Sequence, residues 1–254
     1  MADEIQIDSR VSASLHPESL SALDGLDDDT RAVIAPAVDT LRSAYGFIGG
    51  VHDVKAAAMA DPTLTKEAAL LKADDHAKAK LAGVTRQFDG VHQNFSKAIA
   101  SLEAALSAPV VAKASQMISG EVRAHAKSLS LEQRDKLLDA AMARGDHDTL
   151  SSILGGPHYL SGLTPELHAI WLRKYNEVRD PVSARRLRVL TQAREEMMKR
   201  GQTLFAEMTK AIGTIEVRIK HKNPDRPDTI RFVGPDEYRA KRDAASAVYK
   251  RVSA

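Results

Sequence analysis

The chain has 254 residues, 43% hydrophobic, 28% charged and only 4% aromatic, with a net charge of +2 and no cysteine. This composition suits one large or two small globular domains with proper cores. It excludes disulfides, thiolate metal sites and a cysteine nucleophile, and no apolar run approaches the length needed to span a bilayer. Few aromatics beside abundant Ala and Leu favour packed helices over a β-sandwich core. The charge is unevenly spread. Residues 1–60 carry 4 Lys and Arg against 10 Asp and Glu, whereas residues 173–254 carry 20 against 11. An acidic head and a basic tail can attract each other, within one copy or between copies, and the tail can also meet a polyanion.

Residues 1–26 are polar and weakly periodic and read as an N-terminal arm, extended or with a short helix; the acidic start Met1–Ile5 lacks the apolar core of a signal peptide, which points to a cytoplasmic chain. Asp27-Asp28-Asp29-Thr30 then precedes a helical stripe through Val33, Ile34, Val38, Leu41, Tyr45 and Ile48. Carboxylates at that position satisfy free N–H groups and suit the helix dipole. Pro36 lies inside the stripe, so the helix is expected to start nearer Ala35 or to kink there.

Asp61-Pro62 breaks the chain, and Thr63 or Thr65 can cap the longest periodic segment, Leu64 to Leu106. Its apolar positions alternate in steps of three and four: Leu70, Ala77, Leu81, Val84, Phe88, Val91, Phe95, Ala98, Leu102 and Ala105. That is an a/d seam of a coiled coil or helical hairpin, broken only by Asp74. At 1.5 Å per residue such a rod would be about 60 Å long, a length common in scaffolds and assemblies. Ala108-Pro109 is expected to end or kink it before a further helix to about Lys127.

Ser130-Leu131-Glu132-Gln133 is a capping box, and the helix it opens should stop at Gly145. A short helix follows to Gly155-Gly156-Pro157. Thr164-Pro165 and Asp180-Pro181 start two more, each with proline at the favoured first position. The second of these is basic. Arg185, Arg186 and Arg188 crowd its first turns, where positive charge opposes the dipole, and Arg194, Lys199 and Arg200 extend the stripe. A local conflict of that kind marks a candidate contact for an acidic partner surface or a nucleic-acid backbone.

The period then changes to two. Ile215, Val217 and Ile219 alternate with charged residues, residues 223–228 are turn material, and Ile230 and Phe232 sit in a second short strand. An isolated β-hairpin is marginal in water, so these five apolar residues are expected at an inter-subunit contact. Gly234-Pro235-Asp236 starts a last helix. The fold class expected is therefore mainly α: a long antiparallel helical hairpin or bundle with a small C-terminal β-hairpin. The expected divisions are an arm at 1–26, a long-helix bundle or coiled-coil region at 27–129, a helical region at 130–212, and the hairpin plus terminal helix at 213–254.

Chemical motifs are scarce. The sequence has no Gly-rich phosphate loop, no G-x-S-x-G elbow and no H-E-x-x-H. His147, His158 and His168 lie near the Gly155-Gly156-Pro157 turn and leave a general base or metal ligand as a third-ranked option. No catalytic residue, metal ligand or cofactor is assigned.

The stretch from Leu137-Leu138-Asp139-Ala140-Ala141-Met142 through Gly145-Asp146 and Ile153-Leu154-Gly155-Gly156-Pro157 to Tyr159-Leu160-Ser161-Gly162-Leu163-Thr164 resembles a pattern in uncharacterised structural proteins of tailed bacteriophages and prophages. It covers residues 137–164, in the middle of the chain. The resemblance implies a non-enzymatic virion structural or assembly protein, a homo-oligomer of connector, internal or scaffold type. Its implied partners are copies of itself, portal or capsid components and, nonspecifically, DNA. Its implied location is the virion after assembly in the bacterial host cytoplasm, or that cytoplasm itself if the chain is not phage-encoded. A bacterial DNA-associated or adaptor protein is the alternative.

Overall fold

The computed structural model describes residues 6–114, 118–220 and 228–252. The expected turn at 223–228 therefore lies, except for Asp228, outside the described residues, as does Met1–Ile5. Among the described residues the chain is 80% helical, with eight α-helices and one two-stranded antiparallel sheet near the C-terminus. The expected fold class is what the structure has. The elements are α1 (Asp28–Ala60), α2 (Lys66–Ala114), α3 (Ile118–Ser128), α4 (Leu131–Arg144), α5 (His147–Leu154), α6 (Pro165–Arg179), α7 (Pro181–Ile212), β1 (Ile215–Ile219), β2 (Thr229–Val233) and α8 (Pro235–Val252). The long helices α1 and α2 pack together.

Several boundaries follow from capping chemistry. Thr30 backbone N–H donates to Asp27 Oδ1 (2.9 Å) while Asp27 N–H donates to Thr30 Oγ1 (2.8 Å), so α1 begins at Asp28. Pro36 is accommodated inside it rather than at its start, and α2 likewise runs past position 109 to Ala114. Of the expected outcomes, a break at either proline does not occur. A proline removes only one backbone donor from a helix, and helices of 33 and 49 residues retain many others. The capping box at Ser130 forms with both of its hydrogen bonds, and Gly145 ends α4 in the left-handed region at φ 66°.

The chain folds as two compact units. One comprises the segment ending at Ala22, Ala35–His92 and the segment from Glu195; the other comprises Leu23–Ile34 and Gln93–Arg194. Each of α1, α2 and α7 contributes residues to both.

In the first unit the described part of the N-terminal arm, residues 6–22, is neither extended nor loose. It makes two 3-10 turns, Ala13–Leu15 and Pro17–Leu20, and inserts Val11, Leu15 and Leu20 into the interior. Polar fasteners hold it. Asp8 N–H donates to the Tyr45 hydroxyl (2.7 Å), and Ser12 N–H donates to Glu207 Oε2 (3.0 Å). Arg200, itself buried, donates from Nε to the Ser14 carbonyl (2.8 Å) and from Nη2 to the Ser19 carbonyl (3.2 Å).

Asp74, the one polar break in the α2 seam, is only 3% exposed. Its carboxylate accepts from Arg239 of α8 and from Lys78 Nζ (3.0 Å). Arg239 also reaches Asp75 Oδ1 (2.6 Å), and Lys78 reaches Asp236 Oδ1 (3.2 Å). The hydrogen bonds to Asp74 and Asp75 hold the Arg239 guanidinium well above its usual pKa. A buried carboxylate is tolerated only when paired in this way. Here the pairing fastens α8 to α2.

The second unit packs Val110, Ala126, Leu138, Ala141, Leu150, Ile153, Leu154, Leu163, Trp171 and Tyr175 around α5. Arg134 is its polar plug. The guanidinium donates to the Ala126 carbonyl (2.9 Å) and the Leu129 carbonyl (2.8 Å) at the end of α3, and to the Gly162 carbonyl. The last carbonyls of a helix lack helical partners; the Ala126 carbonyl also accepts from Leu129 N–H (3.3 Å), and the arginine adds its own bonds to this set. Gly162 has φ +70°, and a Cβ there would lie 2.8 Å from Arg134 Nη2, so only glycine fits.

The buried stripe of α2 departs from a heptad seam toward its C-terminal end. Val84, Phe88, Val91 and Phe95 are buried and Leu81 is half-buried, but Ala98 and Leu102 are only half-buried and Ala105 is exposed. Two series among its buried positions are Ala73, Val84, Phe95 and Leu106, and Ala77, Phe88, Ile99 and Val110. Each series steps by eleven residues. That is 3.67 residues per turn, the repeat of a nearly straight helix, and a 3.5-residue seam drifts away from it over a few heptads.

Two stability predictions follow from this packing. Phe95→Ala, at a residue 3% exposed, should cost about 3–5 kcal/mol, and thermal or denaturant unfolding measures it. Asp74→Ala leaves Arg239 short of its buried partner and should cost about 3 kcal/mol, with α8 amides exchanging faster than those of α1. Unchanged α8 exchange would show that the carboxylate does not fasten that helix.

Candidate functional site

The hairpin and the basic helix carry the candidate contacts, and the structure treats them differently. In the hairpin, Ile215 pairs with Val233, Glu216 with Phe232, Val217 with Arg231, Arg218 with Ile230 and Ile219 with Thr229. Directly opposite residues of an antiparallel pair share a sheet face. Ile215, Val217 and Ile219 therefore lie on the face of Val233, whereas Ile230 and Phe232 lie on the other face with Glu216 and Arg218. The register separates the two apolar sets.

Burial follows that division. Ile215 and Val233 are buried and Val217 is half-buried, so the first face is covered at its Ile215–Val233 end, while Ile219 (40% exposed), Thr229 and Arg231 on the same face are exposed. On the second face Ile230 is 51% and Phe232 67% exposed. Among the described residues the sheet has two strands only, so the outer edge of each is unpaired. Arg231 Nη2 meets Glu237 Oε2 of α8 at 2.5 Å, which ties the hairpin to the helix that Asp74 holds.

The basic stripe of α7 does not form one surface. Arg185 is ion-paired with Asp27, and Arg188 with Glu177 of α6 and with Asp24 (3.2 Å). Asp24 N–H also donates to Gln192 Oε1 (3.1 Å). Arg200 is buried with the N-terminal arm and Glu196, as described above. Lys199 is exposed and pairs with Glu196 Oε1 (2.9 Å). Arg186 is exposed and Arg194 half-buried. Much of the attraction between acidic head and basic tail is thus satisfied within one copy. Reversing Arg185, Arg186 and Arg188 to Glu would strike Asp24, Asp27 and Glu177 and disturb the second unit itself, so that triple variant cannot isolate a partner contact.

Two of the three histidines near the Gly155-Gly156-Pro157 turn contact backbone. His158 Nδ1 lies 3.1 Å from the Leu163 carbonyl and His168 Nε2 lies 2.8 Å from the Leu154 carbonyl. His147 Nδ1 meets the Tyr175 hydroxyl at 3.2 Å. Among the described residues there is no cluster of three or more His, Asp or Glu side chains able to hold a metal ion, and no helix long and apolar enough to cross a membrane.

The chain matches no protein-family model, no curated protein and no solved structure.

Sequence reasoning missed the inward roles of Arg134 and Arg200. A usable signal existed for Arg134 alone, an arginine one turn past a capping box that follows a helix end. Nothing local marks Arg200, whose partners Ser14 and Ser19 lie 186 and 181 residues away.

The Asp27 carboxylate gives a pH prediction. Hydrogen bonds from the Thr30 hydroxyl and backbone, and then from Arg185, lower its pKa to about 2. A folded pKa below the unfolded value means that its stabilisation is present above the ordinary aspartate range and is lost as pH falls toward 2. Carboxyl-resolved NMR should show Asp27 titrating near 2. Asp27→Asn should flatten the part of the acid-stability curve between about pH 4 and that value.

Proposed function

We propose that this chain is a non-enzymatic structural or assembly protein of a bacteriophage particle, acting as a homo-oligomer of connector, internal or scaffold type. The observation that carries this reading is the hairpin. A two-stranded sheet with both edges unpaired and with Ile230 and Phe232 exposed on its outer face is a template for strand addition and apolar contact. Arg231 of the hairpin also pairs with Glu237 of α8, and Arg239 of that helix pairs with buried Asp74. The resemblance of residues 137–164 to phage structural proteins supplies the biological setting, with portal or capsid components as further partners and the virion as destination.

The alternative of a bacterial DNA-associated or adaptor protein rests on the basic C-terminal third. It is weakened because Arg185, Arg188 and Arg200 spend their charge on groups of the same chain. The enzymatic alternative is weakened by the backbone contacts of His158 and His168.

Light scattering over a concentration series tests the proposal. The chain should form a defined oligomer, and Phe232→Asp should weaken it without lowering the melting temperature, because the ring is largely outside the fold. A chain that stays monomeric at every concentration sinks the proposal. A dimer that binds duplex DNA with a steep salt dependence would favour the alternative.

A further inference from the structure

We infer that β1 pairs antiparallel with β1 of a second copy across a two-fold axis at Val217, making a four-stranded sheet in the order β2-β1-β1-β2. The inference rests on the homo-oligomer reading above and specifies its contact.

The sequence of β1 is Ile215-Glu216-Val217-Arg218-Ile219. Read against itself in the opposite direction, it is self-complementary. Ile215 falls opposite Ile219 of the second copy, Val217 opposite Val217, and Glu216 opposite Arg218. The two-fold repeats each cross-pair, so the contact has two Glu–Arg pairs flanked by apolar ones. Opposite charges and apolar side chains facing across a strand pair are the stabilising combinations. An isologous contact of this kind is the commonest way for two identical chains to associate.

The register is selected by charge. A slip of one residue would set apolar positions against the wrong face. A slip of two sets Glu216 opposite Glu216 in one direction and Arg218 opposite Arg218 in the other, and reduces the paired residues of the five-residue strand from five to three. The other open edge is less suited to self-pairing. Full overlap of β2 with its copy would place Arg231 opposite Arg231, and like charges directly opposite are destabilising.

The surroundings of β1 agree. Glu216 and Arg218 are exposed, and within the hairpin they face Phe232 and Ile230, which offer them no charge. Neither has an ion-pair partner among the described residues. Ile219, 40% exposed, would gain Ile215 of the second copy as its neighbour. Two strands are marginal as a sheet and four are not, so pairing also supplies the strands that the hairpin lacks. A two-fold contact closes at two copies, so any larger assembly would require a second contact elsewhere.

Charge reversal tests this in the full chain. Glu216→Arg places like charges opposite each other at both positions, and Arg218→Glu does the same with the opposite sign. Each variant alone should raise the dissociation constant roughly tenfold or more in sedimentation or light scattering, with unchanged helicity and melting temperature. An equimolar mixture of the two variants should associate as well as the wild type. So should the double variant E216R/R218E alone. Single variants that assemble like the wild type would overturn the β1 contact while leaving the homo-oligomer reading intact. A mixture no better than its components would overturn the register. A wild-type chain that never self-associates would overturn both readings.

Discussion

The arrangement of the C-terminal part of this protein depends on one buried charge. Asp74 sits in the apolar stripe of α2, almost without solvent, and a lone carboxylate there would cost several kcal/mol. Arg239 and Lys78 neutralise it. That requirement docks α8, because Arg239 is one of its residues. α8 in turn anchors the hairpin through Glu237 and Arg231. The chain of charge pairs runs from the interior of the longest helix to the exposed strands. It converts a defect in the hydrophobic seam into a positioning device for the surface that carries the proposed function.

Buried arginines do the same elsewhere. Arg134 gathers the carbonyls at the end of α3 and the carbonyl of Gly162, and Arg200 gathers the carbonyls of the N-terminal arm. In each case a planar guanidinium with several donors meets backbone acceptors that no secondary structure satisfies. The arrangement suits a protein with few aromatic residues. Small Ala and Leu contacts pack helices closely, and the irregular segments between them are fixed by charge-assisted hydrogen bonds. The same economy removes Arg200, and largely Arg185 and Arg188, from the supply of cations available to partners.

The hairpin is one surface that this pairing leaves open. One end of its inner face is buried in its own unit, while its outer face and, among the described residues, its edges are open. The palindromic alternation of β1 gives one of those edges a complement in its own copy. The proposed self-association would need neither a pocket nor a motif, only two such strands.

Periodicity and capping residues determined the helical class, the hairpin and many of the helix starts and stops, because those depend on contacts within a few residues. The Asp27–Thr30 cap, the capping box at Ser130, Gly145 and the alternation at 215–219 are all local in this sense. The tertiary structure alone decided which charges turn inward. Arg200 and Arg186 look alike in sequence, yet one is buried against a segment more than 180 residues away and the other faces solvent. It also decided that the α2 stripe leaves the heptad beyond Phe95 for Ile99, Leu106 and Val110, because a helix of about 3.6 residues per turn drifts from a 3.5-residue seam by an amount invisible over two turns. The strand register was likewise undetermined, since alternation names the apolar set of each strand but not the face on which the two sets meet. Local sequence constrains what one element can do; which neighbour it meets is settled by burial and charge pairing across the whole chain.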